Sequence, residues 1–244
     1  MDKMKKTLPV IYATCFAMIV LLGAPKIIQS ESGLESGRLS IQSNIVKLPE
    51  PRLDSSISVE QALLDRRSMR SYKNQPLTIA EVGQLLWAAQ GITEKSRGFR
   101  TAPSAGATFP FEVYLIAGDV TGLSAGIYQY DYHHHRLMLR RKDDFRAKLS
   151  ESALGQSSIT HGAINIVLTG IYKRTTQRYG DRGIRYVHIE AGHIAQNVFL
   201  QAVALGLGSV PIGAFNDKKV QKVLDLPKNE IPLYILPVGK IHQK

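Results

Sequence analysis

Arg66, Arg67, Ser68 and Arg70 fall within five positions of RRSMRSY. Guanidinium forks match phosphate oxygens in geometry and charge, so this spacing suits a phosphate seat. A solvated basic loop would use the same residues. A second stretch, TAPSAGATFP, suits a different task. Ser104, Ala105, Gly106 and Ala107 are small enough to let backbone approach a planar ligand and to bare its N–H groups. Gly206, Gly208 and Gly213 do the same around SVPIG, where Pro211 and Ile212 add an apolar turn. Lys240, in PVGK, places another cation at a strand end far along the chain.

Together these groups describe a site with a phosphate at one end and a flat apolar body at the other. No GxGxxG follows a strand and no Walker loop is present, so the dinucleotide and P-loop fingerprints are missing. A mononucleotide, FMN above all, is the economical ligand.

Other candidates are weaker. His133, His134 and His135 are adjacent, and neighbours in extended chain point to opposite faces, so a metal site is disfavoured against an exposed turn. Glu190 and His193 stand one helical turn apart and would suit an acid/base pair or a packed polar pair. Ser104 lacks the GxSxG elbow of a hydrolase. The only cysteine is Cys15, so residues 16–244 hold no disulfide, thiolate nucleophile or Cys-based metal site.

The elements that must carry these residues show in the hydrophobic pattern. Ser58 and Gln61 suggest a capping box before a short helix, and Thr78 and Glu81 a second one. Val82, Leu85, Leu86 and Ala89 then recur at helical spacing up to Gly91. FEVYLIA (111–117) reads as a strand, GIYQYD and RLMLRR as a hairpin around HHH, and AINIVLTGIY as a strand buried on both faces. Val187 to Leu205 keeps one face apolar through the longest helix. Asp217 is placed to cap a small helix, and PLYILPVGK is a final strand. Hairpins mixed with helices indicate an α+β fold.

The chain has 244 residues, 44% hydrophobic and 21% charged, with a formal net charge of +11. The charge is dispersed, which speaks against a nucleic-acid partner. Residues 1–30 read as a signal peptide or an N-terminal membrane anchor, since Lys3, Lys5 and Lys6 precede a charge-free run over 8–24. The expected location is therefore exported, periplasmic or extracellular, or tethered to a membrane through 8–24. Residues 31–56 read as a linker or arm, and 57–244 as the folded domain.

Five ordered stretches carry a resemblance: RRSMRSYKNQPLTIAEVGQLLWAAQGI, RTAPSAGATFPFEVYLIAG, GIYQYD, YKRTTQRYGDRGIRYVHIEAGHIAQNVFLQAVALGLGSVPIGAF and PLYILPVGK. Across about 57–241 the chain resembles the FMN-dependent nitroreductase family, and within it the azoline-oxidase branch often called SagB/ThcOx. The resemblance implies a three-layer fold, a central mainly antiparallel sheet flanked by helices, with FMN at the interface of an intertwined homodimer. It puts Arg66, Arg67, Ser68 and Arg70 on the FMN phosphate, with Lys240 as the second phosphate contact. It puts Ser104, Ala105, Gly106 and Ala107 on the flavin of the other subunit, and Pro211, Ile212 and Gly213 beside the isoalloxazine ring. The helix over 187–205 falls on the dimer interface.

The activity implied is that of an FMN-dependent oxidoreductase, with hydride transfer through the flavin to or from a small organic or peptide-derived substrate. The alternative is a non-catalytic or flavin-remodelling FMN-binding protein of the same fold. Tyr172 and Lys173 are the weak candidates for proton transfer. The electron donor is unassigned. Export would separate such an enzyme from the cytosolic cyclodehydratases beside which azoline oxidases normally act.

Overall fold

The computed structural model describes residues 44–242. Seven strands form one sheet: β1 (Ile45–Lys47), β2 (Phe111–Ala117), β3 (Gly126–Asp131), β4 (Arg136–Lys142), β5 (Ile164–Gly170), β6 (Leu207–Ser209) and β7 (Ile231–Lys240). Their order across the sheet is β1-β4-β3-β2-β5-β7-β6, and every neighbouring pair is antiparallel. The helices are α1 (Val59–Asp65), α2 (Ile79–Gln90), α3 (Arg146–Ser152), α4 (Ser157–His161), α5 (Lys173–Tyr179), α6 (Arg182–Ala204) and α7 (Asp217–Leu224).

The run 164–170, apolar but for Asn165 and Thr169, sits inside the sheet between β2 and β7 with all seven residues buried. Strand alternation then divides the core into two. Ile166 and Leu168 of β5, with Leu115 of β2, pack under Leu85 and Leu86 of α2 and Val187, Ile194 and Val198 of α6. Val167, Ile116 and Ile127 face the other way, against Phe145, Leu149, Ile159, Val220 and Leu224 from α3, α4 and α7. The result is the expected α+β fold, a mainly antiparallel sheet between two helical layers. Each fully buried Leu, Ile or Val contributes about 1.5–3 kcal/mol relative to exposure.

Local signals set the helix ends. Thr78 and Glu81 form the reciprocal capping box that their spacing predicts. At α1 only half the box forms. Ser58 Oγ accepts from the Gln61 N–H at 3.1 Å, but the Gln61 amide donates to Asp65 at 2.6 Å instead of turning back. The cap of α7 is Asn216, whose side chain accepts from the Lys219 N–H, with Asp217 already the first helical residue. α6 starts at Arg182, a turn and a half before its apolar stripe.

Two elements add detail to the sequence reading. Ile45–Lys47, in the stretch read as a linker or arm, pairs with β4 as an edge strand. The HHH tip is also more than an exposed turn. Asp131 accepts from the His133 and His134 amides, and His135 is half-buried and bridges the Tyr130 hydroxyl (2.8 Å) and the Pro49 carbonyl (2.9 Å). Among the described residues no helix is long and apolar enough to cross a membrane. The segment 1–30 lies outside them.

Candidate anion site and small-residue loop

RRSMRSY leaves α1 and runs beside the sheet edge. Arg66 is the C-cap of α1, its N–H on the Ala62 carbonyl. Ser68 then bridges Ser209 in parallel, and the Met69 N–H donates to the Ser209 carbonyl at 2.9 Å. The Tyr72 hydroxyl donates to the Met69 carbonyl at 2.7 Å and to Pro237 at 3.3 Å, and burial pushes its ionisation well above the usual phenol range. The Lys73 N–H closes the run on the Lys240 carbonyl. This approach needs a bare backbone in the sheet, because a Cβ at Gly208 would lie 2.7 Å from Met69 Cβ and closer still to Ile241.

The consequence is a cavity of about 550 Å³ between RRSMRSY, β6, the end of β7 and the last turns of α6. Arg66, Arg67, Lys73 and Lys240 supply cations; Met69, Phe199, Val203, Leu207 and Ile241 supply apolar wall. The expected clamp residues do not behave alike. Arg66 makes no ion pair among the described residues. Arg67 Nη1 is held by the Leu64 and Arg66 carbonyls, both at 2.8 Å, so it also caps α1. Lys240 is paired with Glu81 of α2. Burial works to raise the Glu81 pKa, but the bonds from Lys240 and from the Thr78 N–H and hydroxyl hold it below the ordinary carboxylate value. Ser68 and Arg70 are exposed and outside the cavity lining. Ser209 lines it, and its buried Oγ has no hydrogen-bond partner. Pro211, Ile212 and Gly213 follow β6 along β7, where Ile212 exchanges backbone bonds with Ile235.

The loop 104–107 is elsewhere. Ser104 and Ala105, with Pro103, line a smaller recess of about 270 Å³ against Tyr186, Ile189, Glu190 and His193 of α6. Thirteen residues of α6 separate Glu190 from Val203, roughly 20 Å at the helical rise. One copy of the chain therefore does not bring the loop to the cationic cavity. The loop backbone is left-handed at Gly106 (φ 57°), Ala107 (φ 54°) and Phe109 (φ 43°), which costs of order 1 kcal/mol or more at each non-glycine.

Contacts hold it there. Arg178 Nη1 donates to the Gly106 carbonyl at 3.1 Å, Arg174 Nη1 to Phe109 at 3.2 Å, and the Thr108 and Thr175 hydroxyls meet at 2.8 Å. A Cβ at Gly106 would strike the Tyr179 hydroxyl. The Arg100 guanidinium is sandwiched between Phe109 (4.1 Å) and Tyr132 (3.6 Å) and donates to Gln90 Oε1 at 2.7 Å.

Tyr172 and Lys173 open α5 and touch neither cavity. The Tyr172 hydroxyl bonds His188 Nε2 at 2.6 Å, and burial raises its pKa. The residues missed in sequence are Arg100, Arg178, Tyr179 and Ser209. None forms a motif; only their positions in the fold bring them to the loop or the cavity.

The antiparallel sheet between helical layers, with a cavity lined by cations at its edge, is the architecture compared with known proteins. The family model described as the Nitroreductase family matches residues 63–240. A Methanocaldococcus jannaschii protein with a nitroreductase name is 44% identical over 184 residues, 75% of this chain and 91% of that protein. The trifolitoxin operon protein TfxC of Rhizobium leguminosarum bv. trifolii is 26% identical over 206 residues, 78% of this chain but 57% of its own length. A crystal structure of a protein with a nitroreductase name from Ralstonia eutropha superposes with a TM-score of 0.73 at 28% identity, covering 83% of this chain and 91% of the other. The chain belongs to the nitroreductase family, whose members are generally oxidoreductases and typically bind a flavin.

Proposed function

We propose that this protein is an FMN-dependent oxidoreductase of the SagB-type dehydrogenase branch, acting as a homodimer on a small organic or peptide-derived substrate. One observation carries the reading: Arg66, Arg67 and Lys240 share a single 550 Å³ cavity with an apolar wall. The residues fit the cofactor, because that cavity also holds a buried hydroxyl with no partner, Ser209 Oγ. The likeness to a trifolitoxin operon protein supports placing it in the SagB-type branch.

Arg66 and Lys240 would hold the phosphate, with the exposed Ser68 and Arg70 of the same segment reaching it from outside the lining. Pro211, Ile212 and Gly213 would flank the ring, and Ser104–Ala107 of a second copy would close over it. The loop's distance from the cavity within one copy is the reason for the dimer. Bound FMN supplies hydride transfer; the chain binds, orients and shields it from water. An exported or membrane-tethered location through residues 8–24 belongs to the same reading.

The test is the visible spectrum of the full chain titrated with FMN. A flavin band saturating at one FMN per subunit, weakened in Arg66→Ala/Arg70→Ala, is the expected result, followed by turnover of a quinone or nitroaromatic by the reduced protein. A protein that takes up no FMN sinks the reading.

A further inference from the structure

Glu190 is a buried carboxylic acid in an α6 face that otherwise packs on the sheet. It is 2% exposed, and its Oε1 has no hydrogen-bond partner. The Arg100 whose charge acts on Glu190 has an orphaned buried atom of its own, Nε. A carboxyl left with a bare oxygen inside a core is costly in its charged form, and burial favours its protonation. Ser104, on the small-residue loop, lines the same recess as Glu190, and its hydroxyl acts to hold the carboxyl's pKa down.

Ser104 has one proton and two lone pairs to distribute. Its Oγ accepts the Phe109 N–H at 2.9 Å, which anchors the left-handed turn and occupies one lone pair. With Glu190 ionised, the hydroxyl proton points inward to the carboxylate, and one lone pair remains outward. With Glu190 protonated, the carboxyl donates to that second lone pair, and the hydroxyl proton swings outward. We propose that Glu190 is a positioning residue whose proton sets whether Ser104 offers a ligand on the loop an acceptor or a donor. The inference rests on the reading that this loop meets a flavin.

The charged and titratable groups around Glu190 set where the exchange occurs. Burial, the largest influence, raises its pKa to about 7, against the opposing effects of the Ser104 hydroxyl and the positive charge of Arg100. Tyr186 and His193 of α6 line the same recess, and Gln90 of α2 is uncharged. The exchange therefore falls near neutral pH. A flavin ring edge carries carbonyl oxygens and ring nitrogens as acceptors and a single N–H donor. The outward proton thus favours binding, and affinity rises as pH falls through about 7.

The experiment uses the full chain, its Glu190→Gln variant, whose amide donates as the protonated acid does, and Ser104→Ala. FMN affinity is read between pH 5.5 and 8.5 by quenching of flavin fluorescence. The FMN phosphate titrates in all three proteins, so the ratio of wild type to Glu190→Gln is the quantity that matters. The wild type is expected to lose about three- to tenfold in affinity relative to Glu190→Gln on the alkaline side, the worth of one hydrogen bond. In Ser104→Ala the step disappears. No step, or one of opposite sign, overturns the proposal.

A second readout needs no ligand. The carbon-13 signal of the Glu190 carboxyl is expected to titrate near 7 and to move upward in Ser104→Ala, because the ionised form loses its donor. An unmoved titration overturns the couple even if FMN binds. If FMN fails to bind while the carboxyl behaves as stated, the functional reading falls and the Glu190–Ser104 couple stands.

Discussion

The ammonium of Lys240, at the end of β7, is paired with the carboxylate of Glu81, in the first turn of α2. The same carboxylate completes the capping box with Thr78. One side chain thus starts a helix and neutralises a cation that lines the proposed phosphate seat. An incoming phosphate competes with Glu81 for Lys240.

Glu81→Gln separates the two roles, since glutamine also serves at the third helical position of a capping box. The variant is expected to bind FMN roughly fivefold more tightly, about 1 kcal/mol, by releasing Lys240. Stability at neutral pH should fall by no more than about 1 kcal/mol. Because the Glu81 pKa is depressed in the fold, its contribution is present above the ordinary carboxylate range and is lost as pH falls through the folded value. The difference in melting temperature between the two proteins should therefore vanish in acid. An FMN titration and melting curves at neutral and acid pH check both halves.

Ser209→Ala removes a buried hydroxyl that has no partner. Deleting an unsatisfied polar atom is neutral or stabilising, so the ligand-free variant should melt at or above the wild-type temperature. If FMN satisfies that hydroxyl, affinity falls by about 1 kcal/mol, roughly fivefold. Melting with and without FMN resolves the two signs, and a variant destabilised in both conditions would show the hydroxyl to be structural.

Gly208→Ala tests how RRSMRSY is held. The new Cβ would lie 2.7 Å from Met69 Cβ and against Ile241, so either the strand edge or the basic segment must move. Overpacking of this kind costs about 1–3 kcal/mol. The expected outcome is a lowered melting temperature together with weaker FMN binding. Loss of stability with undiminished affinity would mean that the cavity does not depend on this contact.

The large elements were legible in the sequence because each carries a long one-sided or two-sided apolar pattern: 111–117, 164–170, 231–240 and the stripe of α6. The helices α3, α4 and α5 were not, being five to seven residues long with mixed polarity. β1 is a three-residue edge strand whose existence depends on its partner, β4. In the site, the cations were legible from type and spacing alone. The Glu81–Lys240 pair was not, because its members are 159 residues apart and each has a local role that explains it. The sandwiched Arg100 was equally invisible, since Phe109 and Tyr132 reach it from a turn and a hairpin with no shared motif.

His135 joins the hairpin tip to the N-terminal stretch of the described chain, through Nε2 to the Pro49 carbonyl and through its own carbonyl to the Leu48 N–H at 3.1 Å. Burial lowers its pKa below 6.5, outweighing the Pro49 bond and the charge of Glu50. The folded state therefore favours the neutral ring. The stability it contributes is present above pH 6.5 and is lost as pH falls from there through the folded value. Hydrogen exchange corrected for intrinsic rates should show the Leu48 amide losing protection on acidification through that window, while amides in β5 keep theirs. In His135→Gln the pH dependence should disappear, and its persistence would place the sensitivity on another group.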